Sequence, residues 1–164
     1  MSCRVIFFML LLVCSVATFC LHAASDLLHD IQQLSDDRMS GRKTATSGAE
    51  QARSYIQQRF FALGLTRLKA DFQHPFHYSI GFADKQGINL IASLKGCSKP
   101  DSYIVMTAHY DHLGKMGQNT TFYGANDNAS GVVMMLDLAK KFKKEALNLY
   151  QKLKINLFQD KSLK

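Results

Sequence analysis

Apolar residues recur every three or four positions in three stretches of the chain, which is the period of an amphipathic helix. These stretches cover residues 27–34, 49–63 and 132–142. Gly64 directly follows the second stretch, and a glycine there favours the end of a helix. The third stretch is apolar over most of its surface, which predicts a strongly buried helix. The first helix is expected to bury one face, made by Leu27, Leu28, Ile31 and Leu34.

Three further stretches have the pattern of strands. Residues 89–94 read as one strand, and residues 103–108 are an unbroken apolar run between turn residues, which predicts a strand buried on both faces. Residues 72–82 are rich in aromatic side chains and contain Pro75, which favours an edge strand or an irregular segment. Residues 35–48 are rich in turn formers and predict an ordered loop. Helices interleaved with strands predict an α/β fold, a three-layer sandwich around a mainly parallel sheet.

The first 24 residues have the composition of a secretory signal peptide. Arg4 precedes a long apolar run, and no other charged residue occurs before Asp26. We therefore expect an exported protein, periplasmic or extracellular. An uncleaved membrane anchor is the alternative, because residues 5–21 approach the roughly 17 to 25 residues that span a bilayer. Cleavage leaves Cys97 as the remaining cysteine, so we expect no intrachain disulfide in the mature fold.

The positive charge of the chain is concentrated near its ends. Lysine and arginine number 20 against 13 acidic residues, which gives a formal net charge of +7. Residues 25–139 hold eleven basic and eleven acidic residues, so a nucleic-acid partner is not expected. We therefore assign residues 25–142 to one domain and residues 143–164 to a lysine-rich, atypical end. That end has the character of a truncated or frame-shifted terminus, with a basic membrane-surface helix as the competing interpretation.

Ionisable side chains follow directly after the apolar run that predicts the central strand. They are His109, Asp111 and His112, and open α/β sheets place ligand sites at this end of their strands. Residues two apart in a strand point the same way, so Asp111 can accept from one nitrogen of His109 while the other nitrogen faces a metal. Asp127 lies among small and polar residues before the third predicted helix. Its simpler interpretation is a helix N-cap.

Two strings of residues resemble a known family. Residues 107–114 (Thr-Ala-His-Tyr-Asp-His-Leu-Gly) and 123–131 (Tyr-Gly-Ala-Asn-Asp-Asn-Ala-Ser-Gly) are similar to the signature of the two-zinc metalloaminopeptidases of the bacterial leucyl aminopeptidase type, metallopeptidase family twenty-eight. Residues 38–42 are similar to the helical lead-in of that family, and the resemblance extends over about residues 27–142. It implies an exported zinc exopeptidase with a phosphorylase/hydrolase-like fold, two zinc ions, and peptide substrates with a free N-terminus.

The resemblance also implies roles for individual residues. His109 would be the first ligand of one zinc, Asp111 would orient His109, and Asp127 would bridge both zinc ions, with a cis peptide bond between Asp127 and Asn128. His112 matches the string but is not a ligand in the family.

Other parts of the family's site have no counterpart in this sequence. The mechanism needs a glutamate as general base, an adjacent glutamate ligand, a further carboxylate and a final histidine, all later in the chain. The sequence contains two glutamates, Glu50 and Glu145, both on predicted helices where a surface role is expected, and no histidine follows Asp127. Residues 154–158 have the character of the family's next strand, but glutamine and aspartate follow them. The general base is therefore absent from this chain.

Three hypotheses about function follow. The favoured one is the N-terminal part of an exported zinc aminopeptidase, incomplete at its C-terminus and inactive alone, because two ligands are fewer than a catalytic zinc needs. The alternatives are a non-catalytic peptide-binding module on the same scaffold and a membrane-tethered basic protein. The favoured hypothesis also predicts that the apolar face of the third helix is exposed unless further strands and helices cover it.

Overall fold

The computed structural model describes residues 26–96, 99–144 and 151–158, which form a mixed helix and strand structure. The helices are α1 (residues 26–34), a 3-10 helix (Asp37–Arg42), α2 (Ser47–Ala62), a π-helical turn (Ala125–Ala129) and α3 (Ser130–Lys144). The strands are β1 (Thr66–Arg67), β2 (Gln73–Ile80), β3 (Ala83–Leu94), β4 (Lys99–His109), β5 (Gly114–Met116), β6 (Thr120–Phe122) and β7 (Gln151–Phe158).

Five strands form the main sheet, in the order β1-β3-β7-β4 with β2 also paired to β3. The β4–β7 pairing is parallel, and the other described pairings of this sheet are antiparallel. The prediction of a mainly parallel sheet is therefore wrong for the described strands. The reason is connectivity: β2 and β3 form a tight hairpin, whereas parallel neighbours need a crossover, which α3 supplies between β4 and β7.

The helices α1, α2 and α3 contribute to one hydrophobic cluster on one face of the sheet. Alternate residues of the strands meet them there, because successive side chains of a strand point to opposite faces. On the opposite face of β4, Tyr103 is 48% exposed and Val105 is 55% exposed. The prediction that β4 is buried on both faces is therefore wrong within the described residues, which form two layers rather than three. The α/β class itself is confirmed.

The predicted helices are present, with one error in α1. Leu34 is fully buried, but Leu28 is 57% exposed because it lies off the stripe of Leu27, Ile31 and Leu34. Helix α2 begins after Thr46, whose hydroxyl accepts a hydrogen bond from the backbone N–H of Ala49, and Gly64 follows its end at a φ of 63°. The predicted edge strand is β2, and the predicted ordered loop contains the 3-10 helix.

Helix α3 lies with its apolar side against the sheet. Val132 is fully buried and Leu136 is 1% exposed, so the expected exposure of this face is not observed. The sheet provides the cover, because β7 lies between β3 and β4 and brings the fully buried Ile155 and Leu157 into the same core.

The predicted boundary between residues 142 and 143, which stays a prediction, falls within a helix. Helix α3 continues to Lys144, and β7 is an inner strand of the main sheet. The predicted signal segment, residues 1–24, lies outside the described residues, as do residues 145–150 and 159–164. Among the helices that the structure describes, none has the length and apolar character needed to cross a membrane.

A buried polar cluster joins α1 to α2, and we call Asp30, Tyr55 and Arg59 the helix-linking cluster. The carboxylate of Asp30 is 3% exposed, accepts from the Tyr55 hydroxyl, and lies 2.9 Å from Nη2 of Arg59. Burial, together with the hydrogen bond to Asp30, raises the pKa of Tyr55 above its usual range. Each member of this cluster is satisfied by another member.

Candidate metal centre

The two predicted metal ligands meet at the carboxyl end of β4. His109 is the last residue of that strand, and Asp127 lies in the turn that leads into α3. Nε2 of His109 is 3.2 Å from Oδ1 of Asp127. The fold therefore brings together two side chains that are 18 positions apart in the sequence.

This separation fits two ligands of one zinc ion. Ligands at roughly 2.0 to 2.1 Å from a tetrahedral zinc are about 3.3 Å apart, and imidazole nitrogen and carboxylate oxygen are both zinc donors. Among the described residues, no group of three or more His, Cys, Asp or Glu side chains is placed to hold a metal. The described part of the chain thus supplies two of the four ligands of a tetrahedral zinc site.

The second ring nitrogen of His109 faces Asp111. Nδ1 lies 3.1 Å from the main-chain oxygen of Asp111 and 3.6 Å from its carboxylate Oδ1. A carbonyl oxygen accepts and never donates, so in the tautomer that carries its proton on Nδ1 this contact is a hydrogen bond and the Nε2 lone pair is directed at the cation position. The nearer partner is the main chain of Asp111 rather than the carboxylate that the sequence predicted. The orienting role of Asp111 stays a prediction.

Asp111 is itself held in place. Its side chain is 2% exposed, and the hydroxyl of Thr44 donates to its Oδ2 at 2.6 Å. Thr44 was not singled out by the sequence, because a threonine in a turn-rich loop is ordinarily exposed to solvent.

His112 lies on the other side of Asp127. Its Nδ1 is 3.5 Å from Oδ2 of Asp127, is buried, and has no hydrogen-bond partner. Burial lowers the pKa of His112, the negative charge of Asp127 opposes this shift, and the positive charge of Arg42 adds to it. The Asp127 carboxylate is therefore flanked by two imidazoles, although the resemblance assigns a ligand role to His109 alone.

The N-cap interpretation of Asp127 is wrong, because its neighbour has that role. Oδ1 of Asn128 accepts from the backbone N–H of Gly131 at 3.2 Å. The Asp127 side chain, free of capping, is 60% exposed and points toward the imidazoles. The Asp127–Asn128 peptide bond is cis, as the resemblance implies.

Gly124 lets the backbone come close to the site. Its φ is 61°, a left-handed value that favours glycine. A Cβ at this position would lie 2.6 Å from the ring of His112 and 2.6 Å from the main-chain oxygen of Asp127. Any other residue here would therefore displace the main chain at Asp127 or the ring of His112.

Arg42 is a buried residue of the site that the sequence analysis missed. It is fully buried, its Nε donates to the oxygen of Tyr110, and its Nη atoms donate to the oxygens of Leu34, Tyr123 and Gly124. Burial lowers its pKa to about 10, so it stays charged at pH 7. The lowering of this pKa corresponds to about 3 kcal/mol of free energy that opposes the charged guanidinium in the folded protein. The sequence feature that could have pointed to Arg42 is its position in residues 38–42, which resemble the helical lead-in of the family.

Glu50, the glutamate that the structure describes, is not found at the site. Glu50 lies in the first turn of α2, where its side chain is 70% exposed and 3.9 Å from Nη2 of Arg53. This is the predicted surface role. Glu145 lies outside the described residues.

The fold is that of zinc exopeptidases and glutaminyl cyclases. The chain is similar to a glutaminyl cyclase from Fimbriiglobus ruber, with a TM-score of 0.64 and 22% identity over 82% of this chain and 44% of the other. It is also similar to a leucine aminopeptidase precursor from Bacteroides thetaiotaomicron, with a TM-score of 0.59 and 22% identity over 82% and 46% of the two chains. These likenesses confirm the predicted fold class.

Sequence comparison gives a partial match to one family. Residues 89–160 match the model of peptidase family M28. A probable zinc metalloprotease of Pyricularia oryzae is 41% identical over 56 residues, which are 33% of this chain and 11% of that protein. The chain thus spans less than half the length of these solved structures and about a ninth of this curated relative.

Proposed function

We propose that this chain belongs to an exported, zinc-dependent aminopeptidase and supplies His109 and Asp127 as ligands of its metal centre. The observation that carries the proposal is the 3.2 Å separation of His109 Nε2 and Asp127 Oδ1 at the carboxyl end of β4. The family match of residues 89–160 supports a peptidase, and the resemblance of the two motif strings supports a substrate with a free N-terminus.

The residues of the chain have distinct parts in this function. The main-chain oxygen of Asp111 accepts a hydrogen bond from Nδ1 of His109, which leaves Nε2 directed at the metal position. Asp127, more than half exposed, is open to a cation from the solvent side. A bound zinc supplies Lewis acidity and an acidic water for peptide hydrolysis. No residue of the chain is assigned as the general base.

Two ligands allow an estimate of the affinity. Structural sites with four ligands bind zinc with about 10 to 16 kcal/mol, and about half of that energy corresponds to a dissociation constant on the order of 1 to 200 μM. We expect the 164-residue chain to bind zinc in this range. Removal of a general base costs roughly a hundredfold to ten-thousandfold in rate, so we expect hydrolysis of leucyl anilide to be slow or undetectable.

The test measures zinc binding and hydrolysis in four forms of the full chain. They are the wild type, His109→Gln, Asp127→Asn and, as a matched control on an exposed strand residue, His77→Gln. We expect both site variants to lose zinc binding and the control to retain it. Zinc binding that survives in both site variants would overturn the proposal.

The substrate panel separates an aminopeptidase from a glutaminyl cyclase, because proteins of both activities share this fold. Leucyl anilide, its N-acetylated form and a peptide with N-terminal glutamine are compared with and without zinc. We expect any residual cleavage to be slow, to depend on zinc and to be restricted to the free amine. Ammonia release from the glutaminyl peptide without anilide cleavage would replace it with a cyclase.

A further inference from the structure

The end of the 3-10 helix and the loop that follows it contact both segments that carry the metal ligands. Arg42 is the last residue of this helix and Thr44 lies on the loop, about 65 to 85 positions before the site residues they contact. Their donors point toward the site rather than toward solvent, although the surrounding stretch is rich in turn formers. The contacts are arranged in two sets.

The first set belongs to Arg42. Its Nε donates at 2.8 Å to the oxygen of Tyr110, the residue between His109 and Asp111. Its Nη1 and Nη2 donate at 2.8 Å to the oxygens of Tyr123 and Gly124, which begin the turn that holds Asp127. One rigid, planar group therefore spans the two segments whose separation sets the distance from His109 to Asp127.

The main chain of Arg42 adds to this arrangement. Its carbonyl oxygen accepts from the backbone N–H of His112 at 3.3 Å. The second set of contacts belongs to Thr44, whose hydroxyl donates to Oδ2 of the buried Asp111 at 2.6 Å. This bond fixes the carboxylate beside the protonated nitrogen of His109.

We propose that Arg42 and Thr44 are positioning residues, which hold His109 and Asp127 at the spacing of a metal site before any cation is bound. The proposal rests on the proposed function, since it names what prepares that same site. A fully buried guanidinium is costly, and three of its four hydrogen bonds go to main-chain oxygens of the site segments and the fourth to Leu34, with none to a carboxylate. Neither residue touches the metal position.

The test must separate positioning from stability. The variants are Thr44→Val, which removes the donor and keeps the shape, Thr44→Ser, which keeps the donor, and Arg42→Lys, which keeps the charge and loses the planar fork. Thr121→Val is the matched control for threonine. Asp30→Asn is the second control, because it weakens a buried polar cluster away from the site.

Zinc titration followed by NMR reports the affinity of the folded molecules alone. We expect Thr44→Val and Arg42→Lys to weaken zinc binding about 10- to 100-fold, the usual effect of losing an outer-shell partner. Thr44→Ser, Thr121→Val and Asp30→Asn are expected to stay within about threefold of the wild type. Equal losses in Asp30→Asn and Thr44→Val would reduce the role of Thr44 to stability and overturn the proposal.

A second readout needs no metal, so it decides the proposal even where zinc binding fails. The Nδ1 proton of His109 exchanges with water at a rate set by local opening of the site. We expect this exchange to be about 10-fold faster in Thr44→Val and Arg42→Lys than in the wild type and the three controls. Unchanged exchange in both variants would contradict the positioning role. If the wild type does not bind zinc but exchange is faster in the two variants, the proposed function is refuted and the positioning role is retained.

Discussion

Two polar clusters of this protein are each built around a carboxylate, but they differ in how fully their polar atoms are hydrogen-bonded. In the helix-linking cluster the carboxylate of Asp30 is buried and bound by a hydroxyl and a guanidinium. In the candidate metal centre the carboxylate of Asp127 is 60% exposed and faces two imidazoles, and the buried Nδ1 of His112 has no hydrogen-bond partner. The first cluster is complete without a ligand, whereas the second has donor atoms left for one.

This difference separates a structural role from a functional one. A buried charge that is fully paired fixes the packing of two helices, and removing one partner leaves the other unpaired in the core. An exposed carboxylate beside two imidazole rings contributes little to folding, because water screens it. The comparison predicts that changes in the first cluster affect stability and that changes in the second affect metal binding.

Substitution of Arg42 is expected to have the largest effect on stability. Arg42 is a buried cation at the site, and like Asp30 of the helix-linking cluster it is hydrogen-bonded within the fold. Arg42→Met leaves carbonyl oxygens of three segments without donors, and we expect it to lower the free energy of unfolding by about 3 to 5 kcal/mol. Urea denaturation measures this loss. Arg38→Met is the control, because Arg38 is exposed and its loss leaves the core intact. An equal midpoint for both variants would show that Arg42 does not hold the fold together.

The helix-linking cluster gives the next largest effect. Asp30→Asn removes the charge that binds Arg59 and Tyr55, and we expect a loss of about 2 kcal/mol in the free energy of unfolding. Zinc affinity of the folded protein is expected to remain that of the wild type. A drop in zinc affinity without a drop in stability would reverse the roles assigned to the two clusters.

Alkaline pH tests the same cluster in another way. The pKa values of Tyr55 and Tyr110 are raised, chiefly by burial, so both phenols stay protonated in the fold at a pH where the unfolded chain ionises. Stability is then fully present below about pH 10 and falls as the pH rises through the folded values, by up to about 1.4 kcal/mol per pH unit for each tyrosine. Denaturation at pH 9 to 11 measures this slope, which Tyr55→Phe should reduce. A slope that is unchanged in Tyr55→Phe would show that this phenol ionises normally.

Asp127 gives the smallest expected effect on stability. Asp127→Asn removes an exposed charge, and we expect the free energy of unfolding to change by no more than about 0.5 kcal/mol. Thermal denaturation of the zinc-free protein measures it. A loss as large as that of Asp30→Asn would mean that Asp127 has a structural rather than a ligand role.

Much of the fold was predictable from periodicity. The apolar repeats located α2 and α3, and Gly64 marked the end of α2. The pairing of the strands was not predictable in this way, because an apolar run such as residues 103–108 does not reveal which face is covered. Strand direction followed instead from the β2–β3 hairpin and the α3 crossover.

The site was predictable in part. The residues that were predicted have a local sequence signal, and the residues that were missed do not. His109 and Asp127 were found because each follows a regular element and both lie in strings that resemble a family. Arg42 and Asn128 were not assigned their roles, because a buried arginine and an asparagine cap depend on tertiary contacts that a local pattern does not contain.

The most direct test of the shared cation is a zinc-soaked crystal of the full chain, with anomalous diffraction collected at the zinc edge. We predict a peak bound by Nε2 of His109 and Oδ1 of Asp127, about 2.0 to 2.1 Å from each atom. A zinc peak on other residues, or no peak at saturating zinc, would contradict the assignment of these two side chains as ligands.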